Sequence, residues 1–110
     1  MVKARNSVKQ HIDRMVSRIV AQFDPEKVIL FGSHASGAGS PDSDVDLLVV
    51  MDVRGSRRKK ALDIGVALHD IPIAKDILVV TPEDFEWRKD VVGTIERPAS
   101  REGTLLYARQ

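Results

Sequence analysis

From Val8 to Phe23 apolar residues recur at helical spacing (Val8, Ile12, Met15, Val16, Ile19, Val20, Phe23), with Lys, Arg, Asp and Gln between them. The pattern predicts an amphipathic helix over residues 7–23, with Ser7, preceded by Asn6, as its N-cap and Asp24-Pro25 as its end. Lys27–Phe31 is a short run rich in β-branched residues and predicts a strand that stops at Gly32-Ser33. Small residues then run to Ser43, and Val45–Met51 predicts a second strand in which only Asp46 is polar. Strands this apolar are covered on both faces, so helices are expected to lie outside the sheet. About residues 56–68 read as a helix with Leu62, Ile64 and Leu68 on its apolar side, and Ile73–Val80 as a third strand. Thr81-Pro82-Glu83-Asp84 opens a last helix, with Thr as N-cap, Pro at the first helical position and acids in the first turn. Phe85, Val91, Val92 and Ile95 form its apolar side, and Arg97-Pro98 its end. Leu105–Ala108 predicts an edge strand.

Composition narrows what such a fold can do. A chain of 110 residues is one ordinary domain, read here as residues 1–110. It has no cysteine, which removes disulfide scaffolds, thiol catalysis and cysteine-ligated zinc or iron. Seventeen Lys and Arg against sixteen Asp and Glu leave a net charge of +1, which gives no long-range pull toward nucleic acid or an acidic membrane. No apolar run follows Lys3 and Arg5, and none approaches the roughly 18 residues a membrane span needs. The expectation is a cytoplasmic, soluble domain with neither membrane nor nucleic acid as partner. Its small size points to a protein partner for anything elaborate.

Two features carry candidate chemistry. Gly32 and Ser33 leave the first strand into a turn kept small by Ala35, Gly37, Ala38 and Gly39. A turn that then opens a helix presents free N–H groups suited to phosphate oxygens, and the Ser33 hydroxyl adds a donor. The plainer alternative is a flexible connection between two strands. The turn is neither a P-loop, since no Lys occurs between Phe31 and Met51, nor a Gly-x-Ser-x-Gly elbow. Asp42, Asp44 and Asp46 resemble the opening of a calcium loop. Leu47 stands where that loop needs Gly, however, and Val53 where it needs Glu.

The second feature is Asp44 and Asp46, two residues apart at the entrance to an apolar strand and therefore on one face. Carboxylates so close repel each other, and a divalent cation offsets the repulsion; an all-oxygen donor set favours magnesium or manganese. Against this, Asp42, Ser43 and Asp44 alone would cap a turn. Asp76 interrupts the third strand and completes a three-carboxylate cluster if that strand lies beside the second. The alternative for Asp76 is a salt bridge, though not with Lys75, whose side chain points to the opposite face.

Leu30–Gly37 together with Pro41–Leu47 resembles the nucleotidyltransferase signature of the DNA polymerase β superfamily: Gly-Ser, ten residues (His34 to Ser43), then Asp-x-Asp. By length, and by Thr81-Pro82-Glu83-Asp84-Phe85, nearly the whole chain is similar to the small stand-alone minimal nucleotidyltransferases of bacteria and archaea. The resemblance implies an α+β nucleotidyltransferase fold, a small mixed β-sheet with helices packed on it. It implies Mg2+ (or Mn2+) as cofactor and ATP as substrate. Gly32 and Ser33 then resemble the residues that hold the β and γ phosphates, Asp44 and Asp46 the metal-binding aspartates, and Asp76 the third carboxylate that activates the acceptor hydroxyl. Two cations can clamp the attacking and leaving oxygens of an in-line displacement. Members of the group are often encoded with a helical HEPN partner, and some act as antitoxins by transferring AMP to a tyrosine of that partner. The implied activity is AMP transfer to a partner-protein hydroxyl. The alternatives are a non-catalytic nucleotide-binding regulatory subunit, or transfer to a small molecule in a site completed by a homo-oligomer or another subunit. Many members carry arginines in the turn where this chain has His34 and Ser36. Arg57, Arg58, Lys59 and Lys60 are candidates to supply the missing charge, or else form a solvated helix start.

Overall fold

Four strands make one mixed sheet in the order β3-β2-β1-β4: β1 (Lys27–Phe31), β2 (Val45–Val50), β3 (Lys75–Val80) and β4 (Thr104–Ala108). The structure is a computed structural model that describes residues 3–40 and 42–110, with side chains from Val8 onward. β1 runs antiparallel to β2 and β4, while β2 and β3 are parallel. A parallel pair needs a crossover, and α3 (Arg57–Ala67) supplies it by returning the chain from the far end of β2 to the start of β3. Ser56 caps α3 by accepting from the Lys59 N–H at 3.1 Å.

Both faces of the sheet are covered, as the unbroken apolar strands predicted. Met15 and Ile19 of α1 (Lys3–Phe23), with Ile64 and Leu68 of α3, pack on Val28, Leu30, Val45, Leu47 and Val49. On the opposite face, Phe85 of α4 (Pro82–Arg88) and Ala99 of α5 (Glu96–Glu102) pack on Ile29, Leu48, Val50 and Val80. Strand periodicity thus assigns the even-numbered residues of β2 to the α4–α5 face, and Asp46 lies in phase with Leu48 and Val50.

Several boundaries differ from the sequence reading. α1 begins at Lys3, because Lys3, Ala4 and Arg5 are good helix formers; Ser7 therefore lies inside the helix and not at its cap, and its side chain falls outside the described residues. β3 begins at Lys75 rather than Ile73, whose N–H turns back to the Ile71 carbonyl at 2.8 Å. The single helix expected from Pro82 to Arg97 is two. α4 stops at Arg88, Gly93 takes φ +94°, and α5 starts at Glu96. Pro98 does not end a helix but sits in the first turn of α5, where its missing N–H costs nothing. Val92 and Ile95 are accordingly exposed, at 77% and 47%. Leu62 is exposed as well, on the side of α3 away from the core.

Candidate active site

β1 delivers Phe31 opposite Asp46 of β2, and the chain then turns at Gly32. Gly32 has φ +77° and ψ −155°, a region essentially restricted to glycine. A Cβ built there would stand 2.3 Å from Asp46 Oδ2, so only glycine lets the turn lie against that carboxylate. Ser33–Ser36 then form one helical turn, α2, in which the Ala35 and Ser36 N–H groups both donate to the Gly32 carbonyl at 3.1 Å. The N–H groups of Ser33 and His34 open this turn and have no intrahelical acceptor. A turn of four residues has no appreciable macrodipole. What it offers an anion is these donors and the Ser33 hydroxyl.

The rest of the loop is held down by a residue whose part the sequence reading left open. His34 Nε2 donates to the Ser43 carbonyl at 3.0 Å, and Gly39 leaves the room its ring occupies, since a Cβ there would meet Nδ1 at 2.6 Å. Ser40 and Ser43 bond each other through the Ser40 N–H and both hydroxyls at 3.1–3.2 Å. These contacts fasten Ser43, and through it Ser40, to α2, just ahead of Asp44 in the chain.

Asp46 and Asp76 are direct partners across the parallel β2–β3 ladder, so their side chains share a face. Asp44 is exposed and Asp46 half-buried. Burial, followed by the charges of Asp76 and then Asp44, raises the Asp46 pKa above its ordinary value; His34 acts weakly the other way. Asp76 and Asp44 therefore both act on Asp46 at the turn that Gly32 presses against it. The adverse acidic environment of Asp46 and the all-oxygen donors suit a hard divalent cation. Among the described residues, no three His, Asp or Glu side chains form a ready-made metal cluster.

Residues 9–101 match the nucleotidyltransferase domain family. The chain belongs to that family. A protein of Methanocaldococcus jannaschii, described as a "putative protein adenylyltransferase", is 26% identical over 106 residues that cover 92% of this chain and 95% of that one. Two solved structures share the fold. The crystal structure of a "putative nucleotidyltransferase" from Sulfolobus solfataricus matches with a TM-score of 0.62 at 19% identity, over 98% of this chain and 86% of the other. The crystal structure of a toxin–antitoxin with AMP-PNP matches at 0.54 and 18% identity, over 88% and 73% of the two chains.

Within this nucleotidyltransferase fold, the Arg57–Lys60 run starts on the opposite face of the sheet from Asp46, since α3 packs on the α1 face and Asp46 lies in phase with Leu48 and Val50. Asp46 is near the start of β2, whereas α3 follows the other end; at about 3.3 Å per residue the two ends of the strand are roughly 15 Å apart. Arg57 pairs instead with Asp84 of α4, and Lys60 lies 6.0 Å over the Phe23 ring. Arg57 and Lys60 are thus engaged away from the phosphate turn. Of the aromatic residues of α4, Phe85 is buried at 4%, while Trp87 is 61% exposed.

Proposed function

We propose that the chain is a metal-dependent nucleotidyltransferase that moves AMP from ATP to a hydroxyl of a partner protein. The observation that supports it most is Asp46 lying against the Gly32 turn and opposite Asp76 on β3, with the charge of Asp44 also acting on it. Asp44, Asp46 and Asp76 are the residues that would hold magnesium or manganese, and that cation, when bound, supplies Lewis-acid neutralisation of the phosphates. The chain's own groups do the rest. The Ser33 hydroxyl and the free N–H groups of the turn bind the outer phosphates and fix the α-phosphorus in line with the acceptor. An Asp76 carboxylate oxygen takes the acceptor proton. The new bond forms between the acceptor oxygen and the α-phosphorus, the α–β bridging bond breaks, and pyrophosphate leaves with its electron pair.

The likeness to a "putative protein adenylyltransferase" and to a toxin–antitoxin structure supports a protein acceptor and an antitoxin role; a HEPN-type helical protein as the partner is what the sequence resemblance implies. A second reading, a regulatory subunit that binds nucleotide without transferring it, is favoured by the turn itself: it carries no Lys or Arg, and its His34 is already bonded to Ser43. One assay separates the two. The protein is incubated with the product of the neighbouring gene, magnesium and ATP labelled on either the α or the γ phosphate. Transfer of the α label alone to the neighbour, with pyrophosphate released, is the expected result. Binding of ATP with no label transferred selects the regulatory reading, and transfer of the γ label excludes adenylylation.

Ser33→Ala removes one hydroxyl donor to phosphate, an interaction of about 1.5–3 kcal/mol when the acceptor is charged. The expected outcome is a rise of roughly tenfold or more in the KM for ATP, with the protein's Tm unchanged.

A further inference from the structure

β3 is an edge strand, and its outer edge is open among the described residues. The Val45 N–H on the Ala74 carbonyl (2.9 Å) and the Met51 N–H on the Val80 carbonyl (3.0 Å) fix the phase of the ladder. Even-numbered residues of β3 bond to β2, so Lys75 and Ile77 turn their N–H and C=O outward. Beside this edge, α3 presents an apolar pair to solvent, Leu62 and Val66, exposed at 65% and 70%. Natural edges of this kind are normally blunted or covered. Here helix and strand frame a groove of about 540 Å³ whose walls include Leu62, Val66 and Ile77, with Arg58, His69 and Lys75 around them. Asp76 borders the same groove, but its side chain is in phase with Leu78 and Val80 on the opposite face, so a strand added to β3 would turn alternate side chains toward α3 and toward Asp76.

We propose that this groove receives an extended, acidic segment of the acceptor protein, which adds to β3 as a fifth strand and carries the acceptor hydroxyl to Asp76. The proposal rests on the nucleotidyl-transfer reading above. Three properties select this occupant. The outward backbone groups of Lys75 and Ile77 match a peptide in strand conformation. The apolar pair takes alternate side chains of such a strand. Arg58 and Lys75 complement carboxylates on the α3 side of the added strand; Asp63 lies on a different side of α3, and Asp76, the one acid in the lining, turns its side chain to the opposite face of the sheet. A second copy of this chain fits poorly, because its own β3 edge would bring Lys75 rather than an acid to the cationic rim. Single-stranded nucleic acid fits poorly too, since the groove has no aromatic platform for bases.

The test uses the full chain and two short synthetic peptides: one alternating Val and Glu around a single Tyr, and its twin with Lys for each Glu. The acidic peptide is expected to bind and to shift the backbone amide resonances of Lys75 and Ile77. The Lys twin is expected to bind at least about tenfold more weakly. Leu62→Glu with Val66→Glu, both on the exposed face of α3, should weaken the acidic peptide by a similar factor, as should Arg58→Glu separately. ATP binding, followed by calorimetry, should be unchanged in both variants. No binding by the acidic peptide, amide shifts confined to other residues, or affinity indifferent to these substitutions overturns the proposal. So does a concentration-dependent dimer abolished by Leu62→Glu, or an oligonucleotide that shifts the same amides more strongly than the peptide. If the peptide binds at β3 but its Tyr receives no α label, the groove stands and the transfer reading fails. If label reaches the natural partner equally well in the Leu62→Glu, Val66→Glu protein, the transfer reading stands and the groove fails.

Discussion

Asp46→Asn is expected to abolish α-label transfer, by about a hundredfold or more, while raising the thermal stability of the metal-free protein at neutral pH. The two effects have one cause. Asp46 is held ionised in a place that resists its charge: it is half-buried, it faces Asp76 across the ladder, and Asp44 is nearby. Its pKa is raised in the folded state. A group with a raised folded pKa contributes most to stability below its unfolded value and loses that contribution as the pH climbs through the folded value. At neutral pH the wild type therefore carries the full unfavourable charge, and the amide, with nearly the same shape, carries none. Melting curves for the two proteins should coincide below the ordinary carboxylate range and separate above it, with the variant the more stable. Added magnesium should narrow or reverse the gap, because it stabilises whichever form binds it better. A variant that is less stable than wild type at neutral pH and equally active would show that this carboxylate is neither crowded nor used.

The aspartates and the glycine turn were legible in the sequence because strand periodicity and spacing act locally. Carboxylates at positions i and i+2 of a strand share one face whatever surrounds the strand. The pairing of Asp46 with Asp76 was less accessible. Placing β3 beside β2 follows from the crossover, but the register that puts residue 46 opposite residue 76 is set by how α3 packs on the sheet. The place of the Arg57–Lys60 run was hidden for the same reason. Sequence distance from the turn is short, yet β2 carries the chain to the opposite end of the sheet before α3 begins. Val91, Val92 and Ile95 have helical spacing, but a glycine with φ +94° intervenes, and Pro98 reads as a stop only until a first helical turn is placed around it. Leu62 shows the limit of pattern alone. α3 carries apolar residues on two sides, Ile64 and Leu68 inward and Leu62 and Val66 outward, and only the fold distinguishes them. The His34 bond to Ser43 had no sequence signal beyond a histidine inside a loop of small residues.

Gly32→Ala is expected to cost stability and to eliminate transfer in whatever fraction remains folded. The backbone at Gly32 lies where non-glycine residues are strained by about 1–3 kcal/mol, which for a domain of this size lowers Tm by something of the order of ten degrees. Strain alone would not reach the chemistry. The added methyl would, because its ideal position is 2.3 Å from Asp46 Oδ2. Either the carboxylate rotates away from Asp76, or β1 and β2 part at the Phe31–Asp46 pair, which anchors the turn. Gly37→Ala provides the control. Gly37 also has a positive φ, +84°, so the variant loses stability to backbone strain, about 1–2 kcal/mol, but nothing lies within 4 Å of the new Cβ. At a temperature where both variants are folded, Gly37→Ala should transfer AMP at close to the wild-type rate and Gly32→Ala should not. Equal activity in the two would mean that the contact between the turn and Asp46 has no part in catalysis, and the site would have to be sought elsewhere on the sheet.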